Sequence, residues 1–98
     1  MPHCTWHDEK AALNFKKHGV TFHEAATLFK SRLTLTYFDD VDPEREHAIG
    51  PSNKNNMLLV VFIEFVEEDV VRIISARHAE ASERRKYEEW RKHAHEKV

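Results

Sequence analysis

Apolar residues recur along the chain with two different periods, and the change of period distinguishes predicted helices from predicted strands. The spacing after Asp8 is that of a helix, which we predict over Asp8–His18. Gly19 directly follows this helix, at the position of a C-cap glycine. Two stripes run along its surface, one mainly apolar and one polar: Ala11, Phe15 and His18, and Lys10, Asn14 and Lys17.

A second helix is predicted to begin after Thr21. Thr21 and Glu24 have the spacing of a capping box, in which the hydroxyl accepts the Glu N–H and the carboxylate reaches back. The inner face of this helix would carry Phe22, Ala25 and Phe29. Because only two or three residues separate the two helices, we expect a helical hairpin.

Alternating or continuous apolar runs predict strands in much of the remaining chain. A short first strand ends near Trp6, and the others cover Leu33–Phe38, Glu46–Gly50, Met57–Val66 and Val70–Ala76.

A last helix is predicted over about Glu80–His95, with Tyr87, Trp90 and Ala94 on one face. The resulting order, β-α-α-β-β-β-β-α, predicts a single α+β domain over residues 1–98. We expect an antiparallel β-meander centred on the hairpin between its two most apolar strands. The helices should pack on one face or end of the sheet.

The composition fits one small globular domain and excludes several classes of protein. The 98 residues are 41% hydrophobic and 33% charged, which argues against disorder. The longest apolar run, Met57–Ile63, is far shorter than the ~20 residues of a membrane helix. The first residues lack the apolar core of a signal peptide, and Cys4 is the only cysteine. We therefore expect a cytoplasmic protein that does not contact a membrane.

Charge is distributed unevenly around a formal net charge of -2. Residues 1–33 contain five Lys or Arg and three Asp or Glu, residues 34–71 two and nine, and residues 72–98 eight and five. A basic surface formed by the two ends would attract phosphate. Solvated helix faces explain the same charges and are the more common outcome.

The sequence lacks the motifs of cofactor and metal chemistry. Gly19 and Gly50 are its only glycines, so no glycine-rich loop can hold a nucleotide phosphate. One cysteine and eight scattered histidines do not have the spacing of a zinc site. We expect neither a metal nor another cofactor.

The remaining polar residues suit the cleavage of RNA without a metal ion. This reaction needs a base near the 2′-hydroxyl, a donor for the leaving 5′-oxygen and cations that stabilise the phosphorane. Suitable side chains occur at the end of the first helix, along the last strand and on the last helix: Lys17, His18, Arg72, Arg77 and Tyr87.

These residues also have structural interpretations. Lys17 and His18 would complement the negative end of their helix, and Tyr87 on an apolar helix face suits a core position. Arg72 would face Glu64 across a hairpin that turns at Glu68.

The two arginines of the last strand pose a geometric problem. Arg77 lies at the end of the strand, where no strand neighbour of opposite charge is expected. Because Arg72 and Arg77 are five positions apart, a regular strand directs them to opposite faces. They can meet one phosphate only if the strand bends or ends before Arg77.

The order of short motifs resembles that of the BrnT toxins. Trp6–Val20, which ends in Lys-His-Gly-Val, is similar to the opening of that family, and Arg72–Arg77, Arg-Ile-Ile-Ser-Ala-Arg, is similar to its last strand. Further similar positions are Phe22, Glu24–Ala26, Phe29, Glu44–Arg45, Ala48–Gly50, Leu58–Val61, Glu83–Arg84 and Tyr87–Glu88. Together they cover about residues 5–89.

This resemblance implies a RelE-like fold and a type II toxin that acts as a ribonuclease and arrests translation. It also implies a BrnA-like ribbon-helix-helix antitoxin, so that the toxin would meet operator DNA only through its partner. Two positions depart from the family pattern. His7 stands where Asp is common, and His78 stands where Lys is common, which makes a cation there dependent on pH.

The leading hypothesis is a metal-independent endoribonuclease toxin that cleaves single-stranded RNA, mRNA in particular. Arg72 and Arg77 would bind the phosphate and the transition state. Lys17 and His18 would transfer protons, and Tyr87 would position the substrate or assist acid–base catalysis. The end of the first helix, the end of the last strand and the last helix must then meet in one electropositive hollow. Further candidates for substrate binding are Lys10, Asn14, Arg45 and His78.

Two alternatives come from other functional classes. A non-catalytic module that stabilises a DNA-bound antitoxin is one, because no residue is an unambiguous general base. A free DNA-binding protein that uses its last helix is less favoured, because Glu83, Glu88 and Glu89 interrupt the basic face of that helix.

Overall fold

Five strands and three helices follow one another in the predicted order. The computed structural model describes residues 2–96, and side chains up to residue 94. The elements are β1 (His3–Thr5), α1 (Asp8–His18), α2 (Phe22–Ala26), β2 (Leu35–Phe38), β3 (Glu46–Pro51), β4 (Met57–Phe65), β5 (Val70–His78) and α3 (Ala81–Glu96). Short 3₁₀ turns cover Thr27–Lys30 and Val66–Glu68.

The strands form one mixed sheet in the order β1-β5-β4-β3-β2. Strands β2 to β5 make the predicted antiparallel meander, and the apolar strand β4 lies at its centre. β1 pairs in parallel with β5, and Thr5 lies opposite Arg72 at the end of this pairing. The α+β prediction is confirmed.

The sheet is covered on both faces, so the expectation that all helices share one face or end is wrong. Ala48 and Leu58 pack with Phe22 and other residues beside α1 and α2. Their neighbours Ile49 and Leu59 pack against Tyr87 of α3. Because successive strand residues point to opposite faces, α3 lies on the face away from α1 and α2. A sheet that is apolar on both faces needs cover on both.

α1 has the predicted bounds but a different buried face. Asn14, from the polar stripe, is buried, whereas Phe15, from the apolar stripe, is 54% exposed. Asn14 Nδ2 donates to the carbonyls of Ala76 and Val20, at 2.8 and 3.1 Å, and its Oδ1 accepts the Ala76 N–H at 3.0 Å. β1 pairs with β5 only as far as Arg72, so Asn14 satisfies backbone groups at the edge that β1 leaves open.

The start of α2 matches its prediction in part. The Thr21 hydroxyl accepts the Glu24 N–H at 3.0 Å, as a capping box requires. The Glu24 carboxylate does not complete the box. It accepts hydrogen bonds from Ser52 Oγ and Asn56 Nδ2, at 2.6 and 2.8 Å, and so holds the β3–β4 turn.

A β-bulge in β5 determines where the two strand arginines point. Val61 pairs with Ser75 while Phe62 pairs with Ile73, which leaves Ile74 as the extra residue. Ile73 before the bulge and Ala76 after it are both buried in the core beside α1 and α2. Arg72 and Arg77 therefore point to the same face, the one that carries α3.

Candidate functional site

Only part of the sheet face that carries α3 is covered by that helix. Ile49 and Leu59 are buried against Tyr87, and Trp90 packs against them. The neighbouring rows of the same face are partly exposed. We call this exposed region the open face, and it consists of Tyr37, His47, Val61, Ile63, Arg72 and Ser75.

His47 and Asp39 form a hydrogen-bonded pair at one side of the open face. His47 Nε2 lies 2.8 Å from Asp39 Oδ1, and the N–H groups of Asp42 and Val41 donate to Asp39 Oδ2. The hydrogen bonds from Asp42, Val41 and His47 lower the pKa of Asp39 to about 2. The carboxylate is therefore ionised at neutral pH, and it orients the His47 ring with Nδ1 left as the second ring nitrogen.

Tyr37 lies beside this pair. Its ring centroid is 5.1 Å from that of His47, and Lys86 Nζ from α3 lies 3.6 Å above the ring. Burial and the nearby charge of Glu83 raise the pKa of Tyr37. Its phenol is consequently a hydrogen-bond donor at neutral pH.

Arg77 is bound to α3 by a bidentate ion pair. Its two terminal nitrogens each donate at 2.8 Å to one oxygen of Glu83, and Glu80 lies 3.7 Å away. The hydrogen bonds that Arg77 donates to Glu83 raise the pKa of Arg77. Arg77 thus has a partner of opposite charge on the following helix, although a neighbouring strand offers it none.

Arg72 has a freer guanidinium. Its Nη1 lies 3.2 Å from His7 Nε2, and its Nε is buried without a hydrogen-bond partner. The predicted pairing with Glu64 is wrong, because Arg72 lies opposite Ile63 and Glu64 lies opposite Val71. Among the described residues no carboxylate forms an ion pair with Arg72.

The candidates on α1 lie at the β5 edge of the open face. Lys10, Lys17 and His18 line a shallow pocket of about 210 Å³, which Ile74 and Ser75 also line. These three side chains present positive or titratable charge beside Ser75. Asn14 lines the same pocket, but its amide is bound to backbone groups of β5 and Val20 and serves the fold.

Three other candidate residues either serve the fold or lie away from the open face. Tyr87 is buried in the core, where its hydroxyl donates to the Leu33 carbonyl and accepts from Arg91. Arg45 forms an ion pair with Asp42 in the β2–β3 loop. His78 ends β5 with an exposed side chain.

The residues expected to form a single electropositive hollow therefore do not all meet. Arg72 and Arg77 share a face, and Lys17 and His18 lie at its edge, but Arg77 turns towards Glu83 and does not line their pocket. The Tyr87 hydroxyl is held inside the interface of α3 with the sheet.

Residues 6–83 match the model of the ribonuclease toxin BrnT of type II toxin–antitoxin systems. This chain belongs to the BrnT family.

The fold agrees with a solved structure of the family. The chain is similar to the ribonuclease toxin BrnT of Brucella abortus, with 22% sequence identity and a TM-score of 0.66. The alignment covers 82% of this chain and 99% of the Brucella chain. A comparison with curated proteins gave no match.

Two further features of this BrnT-family chain concern the described residues alone. The described residues contain no group of three or more His, Cys, Asp or Glu side chains placed to hold a metal ion. None of their helices combines the length and the apolar character needed to cross a membrane.

Sequence reasoning missed His47, Asp39 and Tyr37. Alternation along the predicted strand placed Tyr37 on the same face as Leu35, which was a usable signal. The acidic residues after Phe38 suggested a solvated turn. That Asp39 reaches His47 depends on how β2 and β3 pair, and neither strand reveals its register alone.

Proposed function

We propose that this chain is an endoribonuclease that cleaves single-stranded RNA, mRNA in particular, without a bound metal and thereby arrests translation. Membership of the BrnT family supports ribonuclease activity. The residue types of the open face support a reaction driven by proton transfer and fixed cations.

The β-bulge at Ile74 is the observation that carries this proposal. In a regular strand Arg72 and Arg77, five positions apart, would point to opposite faces, and the bulge changes this by one residue. With it, both share a face with His47. Strand spacings put the Cα atoms of Arg72 and Arg77 each about 12 Å from that of His47, with Val61 and Ser75 between. A bound phosphodiester at this centre lies within reach of long side chains from three sides.

Each group then has a chemical role. His47, oriented by Asp39, takes the proton of the 2′-hydroxyl, whose oxygen attacks the adjacent phosphorus. Arg72 binds the phosphate oxygens and stabilises the phosphorane, and the unshared N–H groups of Arg77 assist. Departure of the protonated 5′-oxygen leaves a 2′,3′-cyclic phosphate and a 5′-hydroxyl. Lys17 and His18 remain the candidates for donating that proton, and Lys10 for holding a flanking phosphate.

Cleavage of single-stranded RNA by the purified chain in EDTA tests this proposal. We expect His47→Asn and Arg72→Gln each to lower the cleavage rate by about 100-fold or more. The matched controls are His3→Asn and Arg32→Gln, which change exposed side chains outside the open face.

Two results would contradict it. Full activity of both open-face variants would remove the proposed site. Activity of the wild type that EDTA abolishes would overturn the metal-independent mechanism and leave the family assignment intact.

We further propose that a BrnA-like ribbon-helix-helix antitoxin neutralises this chain and links it to operator DNA. The type II toxin–antitoxin family supports such a partner. Co-purification with the product of the adjacent gene, followed by operator gel shifts with and without this chain, tests the point. A shift by this chain alone would contradict indirect DNA binding.

A non-catalytic partner-binding module is the second candidate. The carboxylate pairing of Arg77 and the bound hydroxyl of Tyr87 favour it, because both groups are already used within the fold. This alternative predicts tight antitoxin binding and operator repression, with no RNA cleavage by the wild type and no growth arrest.

A further inference from the structure

The ends of β2 and β4 carry most of the exposed large apolar residues of the described chain. Phe38 is 67% exposed, Val41 91%, Phe65 42% and Val66 75%. Three of these residues, Phe38, Phe65 and Val66, line a groove of about 420 Å³. We call it the acidic groove, and its lining includes Phe38, Glu44, Glu46, Glu64, Phe65 and Val66.

Its charge is as distinctive as its apolar lining. Glu44, Glu46 and Glu64 form no ion pair among the described residues. Burial, followed by the adjacent charge of Glu64, raises the pKa of Glu46. Arg45, the nearest cation in sequence, is already paired with Asp42. The groove therefore combines exposed apolar side chains with two carboxylates that repel each other.

We propose that the acidic groove is the docking site of the antitoxin, which inserts a segment of apolar side chains flanked by Lys or Arg. This inference rests on the proposed function for the existence of that partner, and it adds the location and the chemistry of the contact. The groove lies outside the basic edge formed by Lys10, Lys17 and His18.

Charge complementarity selects this occupant. A neutral apolar segment would bury Glu46 and Glu64 without compensation, which is unfavourable. A nucleic acid would bring phosphates against the same carboxylates. Lys or Arg beside an apolar stripe satisfies both features, because the cations relieve the repulsion while Phe38, Phe65 and Val66 lose their exposure to water.

Glu64→Lys gives the sharpest test. The variant replaces an exposed carboxylate beside Glu46 with a cation, so the free chain should unfold at an equal or higher urea concentration. Affinity for the purified product of the adjacent gene should nevertheless be about tenfold or more below that of the wild type. This difference between variant and wild type should be larger at low salt, where charges are screened less. Opposite changes in stability and affinity separate lost docking from lost folding.

Matched variants complete the experiment. Val66→Ser should weaken binding in isothermal titration, whereas Leu13→Ser, on exposed α1 surface, should not. Glu89→Lys makes the same charge change as Glu64→Lys on the exposed side of α3 and should leave the affinity unchanged.

The outcomes distinguish this inference from the proposed function. If the wild type binds the partner and the groove variants bind equally well, the docking site is wrong. If the wild type does not bind, both the antitoxin proposal and the docking site are overturned. Ribonuclease activity is assayed without the partner, so its absence bears on the catalytic proposal alone.

Discussion

Asn14 supplies, at the open edge of β5, the hydrogen bonds that another strand would otherwise make. Its amide pairs with both the N–H and the carbonyl of Ala76, as a neighbouring strand residue does. Replacement by Leu leaves those buried backbone groups without partners. We expect Asn14→Leu to lower the free energy of unfolding by about 2 kcal/mol or more, measured by urea denaturation.

Two variants of the same helix define this effect. Asn14→Asp retains an acceptor for the Ala76 N–H but places a buried carboxylate oxygen against the carbonyls of Ala76 and Val20, so its loss of stability should be similar or larger. Lys10→Ala, at an exposed position, should change stability little. An unchanged midpoint for Asn14→Leu would show that water replaces the amide at this edge.

Asp39 makes the free energy of unfolding depend on pH, and it stabilises the fold at neutral pH more than in acid. Its pKa is lowered in the folded chain from 3.8 to about 2, so its contribution to stability is present at neutral pH. That contribution decreases as the pH falls from about 4 towards 2. Asp39→Asn should therefore show a shallower loss of unfolding free energy over this range than the wild type.

Urea titrations at several pH values measure this difference. Asp40→Asn is the matched control, because Asp40 accepts no hydrogen bond in the part of the chain that the structure describes. Parallel pH profiles for the wild type and Asp39→Asn would contradict the assignment.

At the scale of elements, Glu83 connects the end of β5 to the start of α3. Its carboxylate accepts two hydrogen bonds from Arg77 and one from the Glu80 N–H at the helix start. Burial acts to raise the pKa of Glu83, but the hydrogen bonds from Arg77 and Glu80 outweigh it and lower that pKa. One side chain thus serves as an ion-pair partner and as a helix cap.

The two roles of Glu83 can be separated by substitution. Glu83→Gln keeps an oxygen for the Glu80 N–H and loses the ion pair, which should cost about 1 kcal/mol of unfolding free energy at pH 7. Glu83→Ala loses both and should cost about 1 kcal/mol more. A double-mutant cycle with Arg77→Gln measures the coupling, and a coupling near zero would contradict the ion-pair contribution.

Local signals predicted the elements far better than the site. The helical spacing after Asp8 and the C-cap Gly19 were sufficient to predict the bounds of α1, because such signals act within a few turns of one segment. The bulge at Ile74 was not predictable, since it appears only when β5 is paired with β4. The burial of Asn14 and the exposure of Phe15 likewise depend on the contact of α1 with Ala76 of β5, 62 positions further along the chain.

Across the whole molecule, the uneven charge becomes a basic region and an acidic region. Lys10 and Lys17 border the open face, whereas Glu44 and Glu64 line the acidic groove at the ends of β3 and β4. A net charge of -2 therefore conceals a local basic region, and such a region attracts polyanions more strongly than the net charge suggests. The charge pattern along the sequence indicated the basic ends, and the fold determines which of those residues meet.

Salt dependence of RNA binding measures that basic region directly. Contacts from Arg72, Lys10 and Lys17 to phosphates predict a slope of log affinity against log salt of about -2 for single-stranded RNA. A 2′-O-methyl oligonucleotide, which lacks the attacking hydroxyl, allows the measurement without cleavage. Lys17→Gln should reduce the slope by about 0.7, because one phosphate contact is lost.

Lys92→Gln on exposed α3 surface is the matched control and should leave the slope unchanged. If Lys92→Gln and Lys17→Gln reduce the slope equally, RNA is held by the overall surface charge and not by the edge of β5. If only Lys17→Gln does so, the phosphates follow that edge towards Arg72 and His47, where cleavage is proposed to occur.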